Sequence, residues 1–335
     1  MSCPHPARAL ARWLWLPLSL LSSAVWSGPA AVPPEQARLY VSSEKDHQLA
    51  VFDLEGKALG QIAVCQRPRG MAFSADRQHI LVVCGDSNEL GVVDRQQGKL
   101  VRRLPLGESP ETLALSPDRQ TAYITIEDDS VLAAFDLASG KRLFEVPTGR
   151  EPEGVLVTPD GHEAYVSSEV ANLVHHIDLR QKKVLNHIKV GQRPRRFSLS
   201  PDGKELWVSN ELSASVSVVD VATQKVSATV AFKLPGMRST DITPVSLVHS
   251  PDGRSVWVGL GRANHVAEVD TATRQVRRTV LVGKRAWGLA LNRSGSRLYV
   301  ANGLSDDMSI VDTATGKALR SVSAGRVPYG VLVYD

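Results

Sequence analysis

Residues 163–204 read EAYVSSEVANLVHHIDLRQKKVLNHIKVGQRPRRFSLSPDGK, and this stretch decides the fold. It contains four short runs rich in Val, Ile and other β-prone residues, separated by turns that contain Gly, Pro, Asp and Asn. Runs this short are typical of β-strands and leave no room for an amphipathic helix of useful length. The stretch therefore predicts four antiparallel strands joined by tight turns.

The same pattern recurs along the chain and places an aspartate at one equivalent position in each copy. These residues are Asp53, Asp94, Asp136, Asp178, Asp220, Asp270 and Asp312. Their successive spacings are 41, 42, 42, 42, 50 and 42 residues. A four-stranded unit that repeats at about 40–45 residues is typical of a propeller blade. We therefore expect an all-β, seven-bladed β-propeller, in which the aspartates accept backbone hydrogen bonds within turns.

The two ends of the repeat region complement each other. Residues 38–41 match the second strand of a unit, whereas residues 328–333 match the first strand. The C-terminal strand should therefore complete the N-terminal blade and leave no free sheet edge. We expect one domain over residues 38–335, preceded by a short segment at residues 28–37. One unit is longer than the others because it carries an insertion between residues 230 and 244.

Residues 1–27 have the composition of an export signal. Arg8 and Arg12 precede an apolar stretch at residues 13–21, and small residues follow near Ser27. The apolar stretch is short for a membrane span. We expect cleavage after Ser27, a periplasmic protein and no stable membrane insertion after cleavage. An uncleaved anchor is the alternative.

Charge and cysteine content restrict the possible partners. The formal net charge of +4 falls by two when Arg8 and Arg12 are removed, and the basic residues form no single cluster, so no nucleic acid is expected. Cys65 and Cys84 remain after removal of the leader; they form either a disulfide or two separate half-buried thiols. Their spacing is not that of a haem attachment motif.

The residue that follows the turn proline, or that follows Ala286 in the one unit where alanine replaces this proline, differs from unit to unit, unlike the framework positions. In chain order these residues are Arg69, Glu111, Glu153, Arg195, Val245, Trp287 and Tyr329. Two neighbouring acids, two neighbouring aromatics and an arginine beside each acid suit a pocket for a small organic ligand. We expect Arg69, Glu111, Glu153, Arg195, Trp287 and Tyr329 to meet at the mouth of the central channel, overhung by Arg238 of the insertion. A solvated rim is the alternative.

A second position on the same face is acidic in five units and glycine in two. Its residues are Glu44, Asp86, Glu127, Glu169, Glu211, Gly261 and Gly303. Acids of this kind attract a cation or a basic partner, but they lack the spacing of a calcium loop. Further cations at the mouth, among them Arg67, Arg193, Arg196 and Arg285, give it mixed charge. We expect no metal and no cofactor.

Known catalytic motifs are missing from the sequence. It has no GxSxG elbow and no HExxH helix, and its histidines are scattered over several units. A binding protein is therefore favoured over an enzyme.

The repeat resembles a known family. Tyr165-Val166-Ser167-Ser168 and Tyr299-Val300-Ala301-Asn302 resemble the "YVTN" phrase of YVTN-type propellers. With seven units and an export signal, the chain is similar to the PQQ-dependent catabolism-associated β-propeller proteins, which are associated with quinoprotein alcohol oxidation and with a neighbouring ABC transporter. The tryptophan docking motif of the quinoprotein dehydrogenases is absent. The resemblance implies an accessory protein that binds a small organic ligand or a periplasmic redox or transport protein, and we expect it to be a monomer.

The repeat is also similar to that of seven-bladed lactonases. The resemblance implies a catalytic acid or histidine and an arginine in the channel, and Glu111, Glu153 and Arg195 are the candidates in this sequence. A lactone hydrolase is therefore the first alternative function. A scaffold for protein contacts, supported by the mixed charge at the channel mouth, is the second.

Overall fold

The computed structural model describes residues 1–2 and 36–335, and residues 36–335 belong to one compact unit. The predicted signal at residues 1–27 lies almost wholly outside the described residues. Across the part that is described, no helix is both long and apolar enough to cross a bilayer.

The described chain forms seven antiparallel sheets of four strands each, as the sequence predicts. Blade 1 contains β1 (Arg38–Ser43), β2 (Gln48–Phe52), β3 (Ala58–Ala63) and, from the chain end, β28 (Pro328–Tyr334). Blade 2 contains β4 (Pro68–Phe73), β5 (His79–Cys84), β6 (Glu89–Asp94) and β7 (Lys99–Pro105). Blade 3 contains β8 (Pro110–Leu115), β9 (Thr121–Ile126), β10 (Val131–Asp136) and β11 (Arg142–Pro147).

The remaining blades follow the same order. Blade 4 contains β12 (Pro152–Val157), β13 (Glu163–Ser168), β14 (Leu173–Asp178) and β15 (Lys183–Lys189). Blade 5 contains β16 (Pro194–Leu199), β17 (Glu205–Asn210), β18 (Ser215–Asp220) and β19 (Lys225–Ala231). Blade 6 contains β20 (Leu247–His249), β21 (Ser255–Gly259), β22 (His265–Asp270) and β23 (Val276–Leu281). Blade 7 contains β24 (Ala286–Leu291), β25 (Arg297–Asn302), β26 (Asp307–Asp312) and β27 (Lys317–Ser323).

The ring is closed by the C-terminal strand. β28 pairs with β1 in antiparallel register, with Leu39 opposite Val333 and Val41 opposite Val331. Tyr334, at the end of this strand, lies 3.3 Å below the guanidinium of Arg95 in blade 2 and packs edge-on against Phe73. The predicted closure is confirmed, and contacts between blades 1 and 2 reinforce it.

The core lies between neighbouring blades. Trp207 of blade 5 is fully buried in a cluster with apolar residues of blade 6, such as Val256 and Val258. Equivalent clusters fill the other blade interfaces. Burial of apolar area at about 25 cal/mol per Å² stabilises the blades against one another, so the ring behaves as one rigid scaffold.

The recurring aspartates have the structural role that the sequence predicts. The carboxylate of Asp178, for example, accepts the backbone N–H groups of Arg180 and Gln181 at 2.8 and 2.7 Å. The insertion forms a short 3-10 turn at Ser239–Asp241, next to a second one at Glu211–Ser213.

Candidate functional site

A β-bulge at the start of the innermost strands positions the variable residues. In blade 2 the pairing passes from Pro68 opposite Cys84 directly to Met71 opposite Val82, so Arg69 is left outside the ladder. The same register shift occurs at the equivalent position of blades 1, 3, 4, 5 and 7. A bulge bends the strand and redirects a side chain. Here it places one variable side chain per blade at the channel.

Neighbouring inner strands approach closely behind these bulges. A Cβ atom on Gly154 would lie 2.2 Å from the carbonyl oxygen of Arg195, and one on Gly288 would lie 2.2 Å from that of Tyr329. Only glycine fits such a separation. The glycine of one blade therefore allows the next variable residue to come close to the axis.

Buried hydroxyl groups fix the backbone of the same residues. Ser42 donates to the carbonyl oxygen of Arg69 at 3.0 Å, Thr125 to that of Glu153 at 2.8 Å, and Ser167 to that of Arg195 at 2.8 Å. These hydroxyls occupy the third position of the YVSS-like phrase in their blades. The recurrence of Ser or Thr at that position is the sequence signal for this role.

The variable residues meet in a buried cluster of alternating charge. Arg69 forms an ion pair with Glu111, and Nη2 of Arg195 lies 3.3 Å from Oε1 of Glu153. The four residues are at most 6% exposed. Charges this deeply buried are expensive unless each is paired, and these are. The structure thus brings Arg69, Glu111, Glu153 and Arg195 together in one buried cluster.

The two aromatic residues complete the cluster. The hydroxyl of Tyr329 donates to Oε1 of Glu153 at 3.2 Å from the opposite side of the channel. The guanidinium of Arg69 lies 4.4 Å from the centre of the Tyr329 ring, and that of Arg195 lies 5.1 Å from the centre of the Trp287 ring. Arg196 contacts both Tyr329 and Glu153. Cation–π contacts of this kind hold each arginine in one orientation.

Three of the second-position acids join this cluster. Glu44 pairs with Nε of Arg69 at 3.1 Å, whereas Glu169 and Glu211 pair with Arg195. Glu127 instead accepts a hydrogen bond from Ser109. No group of three or more metal-binding side chains occurs among residues 1–2 and 36–335.

A further set of arginines lies at the entrance, one residue before the turn proline or its equivalent. Arg67, Arg193 and Arg285 have φ values of 55°, 54° and 61°. This left-handed conformation is uncommon for a residue with a side chain and persists where the surroundings fix it. In blades 5 and 7, the backbone N–H of Arg193 and Arg285 is held by an asparagine of the preceding blade at 2.9 Å. The backbone of these two arginines is therefore restrained, and their guanidiniums contact acids of the cluster, Arg193 at Glu169 and Glu211 and Arg285 at Glu211.

The carboxylates of this cluster differ in their affinity for protons. Burial alone raises the pKa of Glu153, but Arg195, Arg196 and Arg69 outweigh it and lower this pKa to about 2. Burial, together with repulsion from Glu153 and Glu211, raises the pKa of Glu169 to about 7. The first group is a permanent anion, whereas the second changes its charge near neutral pH.

A cavity of about 260 Å³ opens at the channel mouth between blades 7, 1 and 2. Its lining consists of Glu44, Arg67, Arg69, Arg285, Trp287, Gly303, Leu304, Val327, Pro328 and Tyr329. Gly303 leaves part of this space open. A Cβ atom at this position would have no neighbour closer than the carbonyl oxygen of Pro328 at 3.5 Å, so a side chain there would extend into the cavity without a clash at its Cβ. The space opens where blade 7 carries glycine in place of the acid of blades 1–5.

The structure separates the predicted site residues into three groups. Arg69, Trp287 and Tyr329 line the cavity, whereas Glu111, Glu153 and Arg195 contact them from deeper in the channel. Arg238 is not brought to this cluster, because its side chain is 82% exposed and pairs with Asp241 of its own loop. The prediction that this arginine overhangs the mouth finds no contact to support it.

Of the two alternatives for Cys65 and Cys84, the structure has the disulfide. Both cysteines are buried. The bridge joins the segment before Arg67 and Arg69 to the end of β5. It thereby restrains the turn that carries two cavity arginines.

Comparison with known proteins supports the propeller and adds a lactonase match. The family model described as "Lactonase, 7-bladed beta-propeller" matches residues 101–236, less than half of the chain. No curated protein has a matching sequence. The matching model is not that of the PQQ-associated family, so the expected link with quinoprotein metabolism gains no support from it.

Several solved structures have the same fold. The periplasmic gluconolactonase of Pseudomonas aeruginosa superimposes with a TM-score of 0.76 at 20% identity, covering 89% of this chain and 99% of that chain. A putative 6-phosphogluconolactonase from Bacteroides uniformis gives 0.74 at 16% identity over 89% and 99%. The hydrazine synthase of Kuenenia stuttgartiensis gives 0.73 at 19% identity over 85% and 94%. At these identities the similarity establishes the seven-bladed propeller fold and nothing finer.

Proposed function

We propose that this protein is a lactone hydrolase whose active site is the cavity at the channel mouth. The observation that carries the proposal is that one carboxylate, Glu44, and three guanidiniums, those of Arg67, Arg69 and Arg285, line the same cavity. The match of residues 101–236 to the lactonase model supports it, as do the names of two structural neighbours. The volume is close to the lower limit of about 300 Å³ for ligand pockets, which suits a small ring.

Lactone hydrolysis needs a proton acceptor and a stabiliser of negative charge. Water adds to the carbonyl carbon, and the carbonyl oxygen becomes an oxyanion. The ring C–O bond then breaks, and the ring oxygen leaves with a proton as the hydroxyl of a hydroxy acid. In our proposal Glu44 accepts the proton of the attacking water and returns it to the ring oxygen.

The arginines supply the charge stabilisation. Guanidinium groups that are already oriented when the oxyanion forms lower the barrier without reorganisation. Arg69 is oriented by Glu44, by Glu111 and by the Tyr329 ring. The same groups bind the carboxylate of the product.

Glu153 and Arg195, the pair that the sequence suggests for a lactonase, have a positioning role in this proposal. Glu153 contacts Tyr329, and Arg195 contacts Trp287, but neither of the two lines the cavity. A carboxylate with a pKa of about 2 is also a weak base.

Periplasmic export is part of the proposal, and the Cys65–Cys84 disulfide supports it, because such bonds persist in oxidising compartments. An accessory binding role without chemistry is the competing function.

The test measures hydrolysis of sugar, alkyl and aryl lactones by acid release. We expect turnover that falls by roughly 10²–10⁴-fold in Glu44→Gln, the usual contribution of a general base. Glu127→Gln is the matched control, because Glu127 has the equivalent position in blade 3 and does not line the cavity. If ligands stabilise the protein but no lactone is hydrolysed, the site only binds, and the hydrolase proposal is wrong.

A further inference from the structure

The cavity lining combines four charged residues with an apolar set. Glu44, Arg67, Arg69 and Arg285 are the charged residues, whereas Leu304, Val327, Pro328 and the ring of Trp287 are apolar. The two sets adjoin, since the backbone N–H of Glu44 donates to the carbonyl oxygen of Val327 at 3.0 Å. A ligand whose carbonyl lies beside the arginines can therefore place a substituent against the apolar residues.

Leu304 is the most exposed of the apolar lining residues. It is 65% exposed, the highest fraction among the large apolar residues of 36–335. Its backbone is held in place, because its N–H donates to the carbonyl oxygen of Lys284 at 3.0 Å, and that of Gly303 donates to the carbonyl oxygen of Arg285 at 3.0 Å. An exposed leucine on a restrained backbone at the rim of a cavity offers an apolar contact to a ligand.

The polar groups of the lining are mainly charged, and none of the ten cavity residues is Ser, Thr, Asn or Gln. Glu44 pairs with Arg69, and Arg67 pairs with Glu111. An alkyl substituent that is buried against Leu304, Val327 and Pro328 gains from the removal of apolar area from water.

We infer that the preferred substrates are lactones with an apolar alkyl substituent on the ring, which lies along Val327, Pro328 and Leu304 while the arginines hold the carbonyl. This inference rests on the proposed hydrolase function. It assigns to Leu304 the role of a specificity residue that touches the substituent.

The experiment compares two lactones with the same ring, δ-valerolactone without a substituent and δ-decalactone with a pentyl chain. We expect kcat/KM to be at least about tenfold higher for the substituted lactone, the size of effect that small apolar contacts give in a pocket. In Leu304→Ser the ratio of the two kcat/KM values should fall toward one. Leu281→Ser, a control on the outer strand β23 with 63% exposure, should keep the ratio.

A second readout needs no turnover. Binding of the two product acids, 5-hydroxypentanoate and 5-hydroxydecanoate, is followed by tryptophan fluorescence, since Trp287 lines the cavity. Tighter binding of the longer acid, weakened by Leu304→Ser, supports the inference.

The outcomes separate the two claims. If both lactones are hydrolysed at equal kcat/KM, the hydrolase proposal stands and the inference about the substituent is wrong. If no lactone is hydrolysed, the hydrolase proposal falls, and equal affinity for the two acids then overturns the inference as well.

Discussion

Replacement of Glu169 by glutamine should change how the stability of the protein depends on pH. Glu169 lies in the buried cluster against Arg193 and Arg195, with the carboxylates of Glu153 and Glu211 close by. Two arginines attract its negative charge, but burial and the two neighbouring carboxylates oppose it more strongly. The folded protein therefore holds a proton on Glu169 where the unfolded chain does not.

The magnitude follows from the difference in pKa. The ordinary value of 4.5 rises to about 7 in the folded protein. At about 1.4 kcal/mol per pH unit this difference is worth about 3 kcal/mol. Below pH 4.5 both states are protonated, and the full contribution is present. As pH rises from 4.5 through 7 the unfolded chain loses its proton first, so the folded state loses this stabilisation.

Glutamine imitates the protonated side chain at every pH. The variant Glu169→Gln should therefore match the natural protein at pH 4 and exceed its free energy of unfolding by about 3 kcal/mol at pH 8. The measurement is urea denaturation from pH 4 to 8, followed by fluorescence, with Glu127→Gln as the control at the equivalent position of blade 3. A difference between the two proteins that does not change with pH would refute the reasoning, and so would a variant less stable at pH 8.

Two further predictions concern the framework of the site. Replacement of both Cys65 and Cys84 by serine should lower the free energy of unfolding by about 3 kcal/mol, because the disulfide closes a loop with a sequence separation of 19 and so restrains the unfolded chain. Equal urea denaturation midpoints for the natural protein and the double variant would contradict this. Ser167→Ala removes the hydroxyl that donates to the carbonyl oxygen of Arg195, and it should lower the free energy of unfolding by about 1–3 kcal/mol and reduce lactone turnover. A variant with unchanged thermal stability and unchanged turnover would show that this hydrogen bond does not position the site.

Most of the fold could be predicted because its determinants are local. The turn residues, the alternation of apolar and polar residues and the period near 42 residues all lie within single units. The matching ends of the repeat also predicted that β28 closes the ring against β1. The variable residues after the turn proline were identified by the same reasoning, since they break a pattern that is otherwise regular.

Less of the site could be predicted, because side-chain geometry does not follow from position in a repeat. Arg238 was expected over the channel mouth, yet it pairs with Asp241 within its own loop. The function favoured from the sequence was an accessory role, whereas the lactonase match and the residues of the cavity favour the hydrolase alternative. The cavity beside Gly303 had no signal in the sequence beyond the glycine itself.

The sequence by itself therefore determined the number of blades, their strand order, the closure of the ring and the positions at which blades differ. The blades and their strand order depend on hydrogen bonds and turns between residues near one another in the chain, whereas closure could be predicted because the two chain ends carry complementary parts of one repeat. Only the tertiary structure decided which charges pair, which are buried and where a ligand fits. The contact between Tyr329 and Glu153 shows why, since the two residues are 176 positions apart and meet only because the closed ring brings every inner strand to one axis.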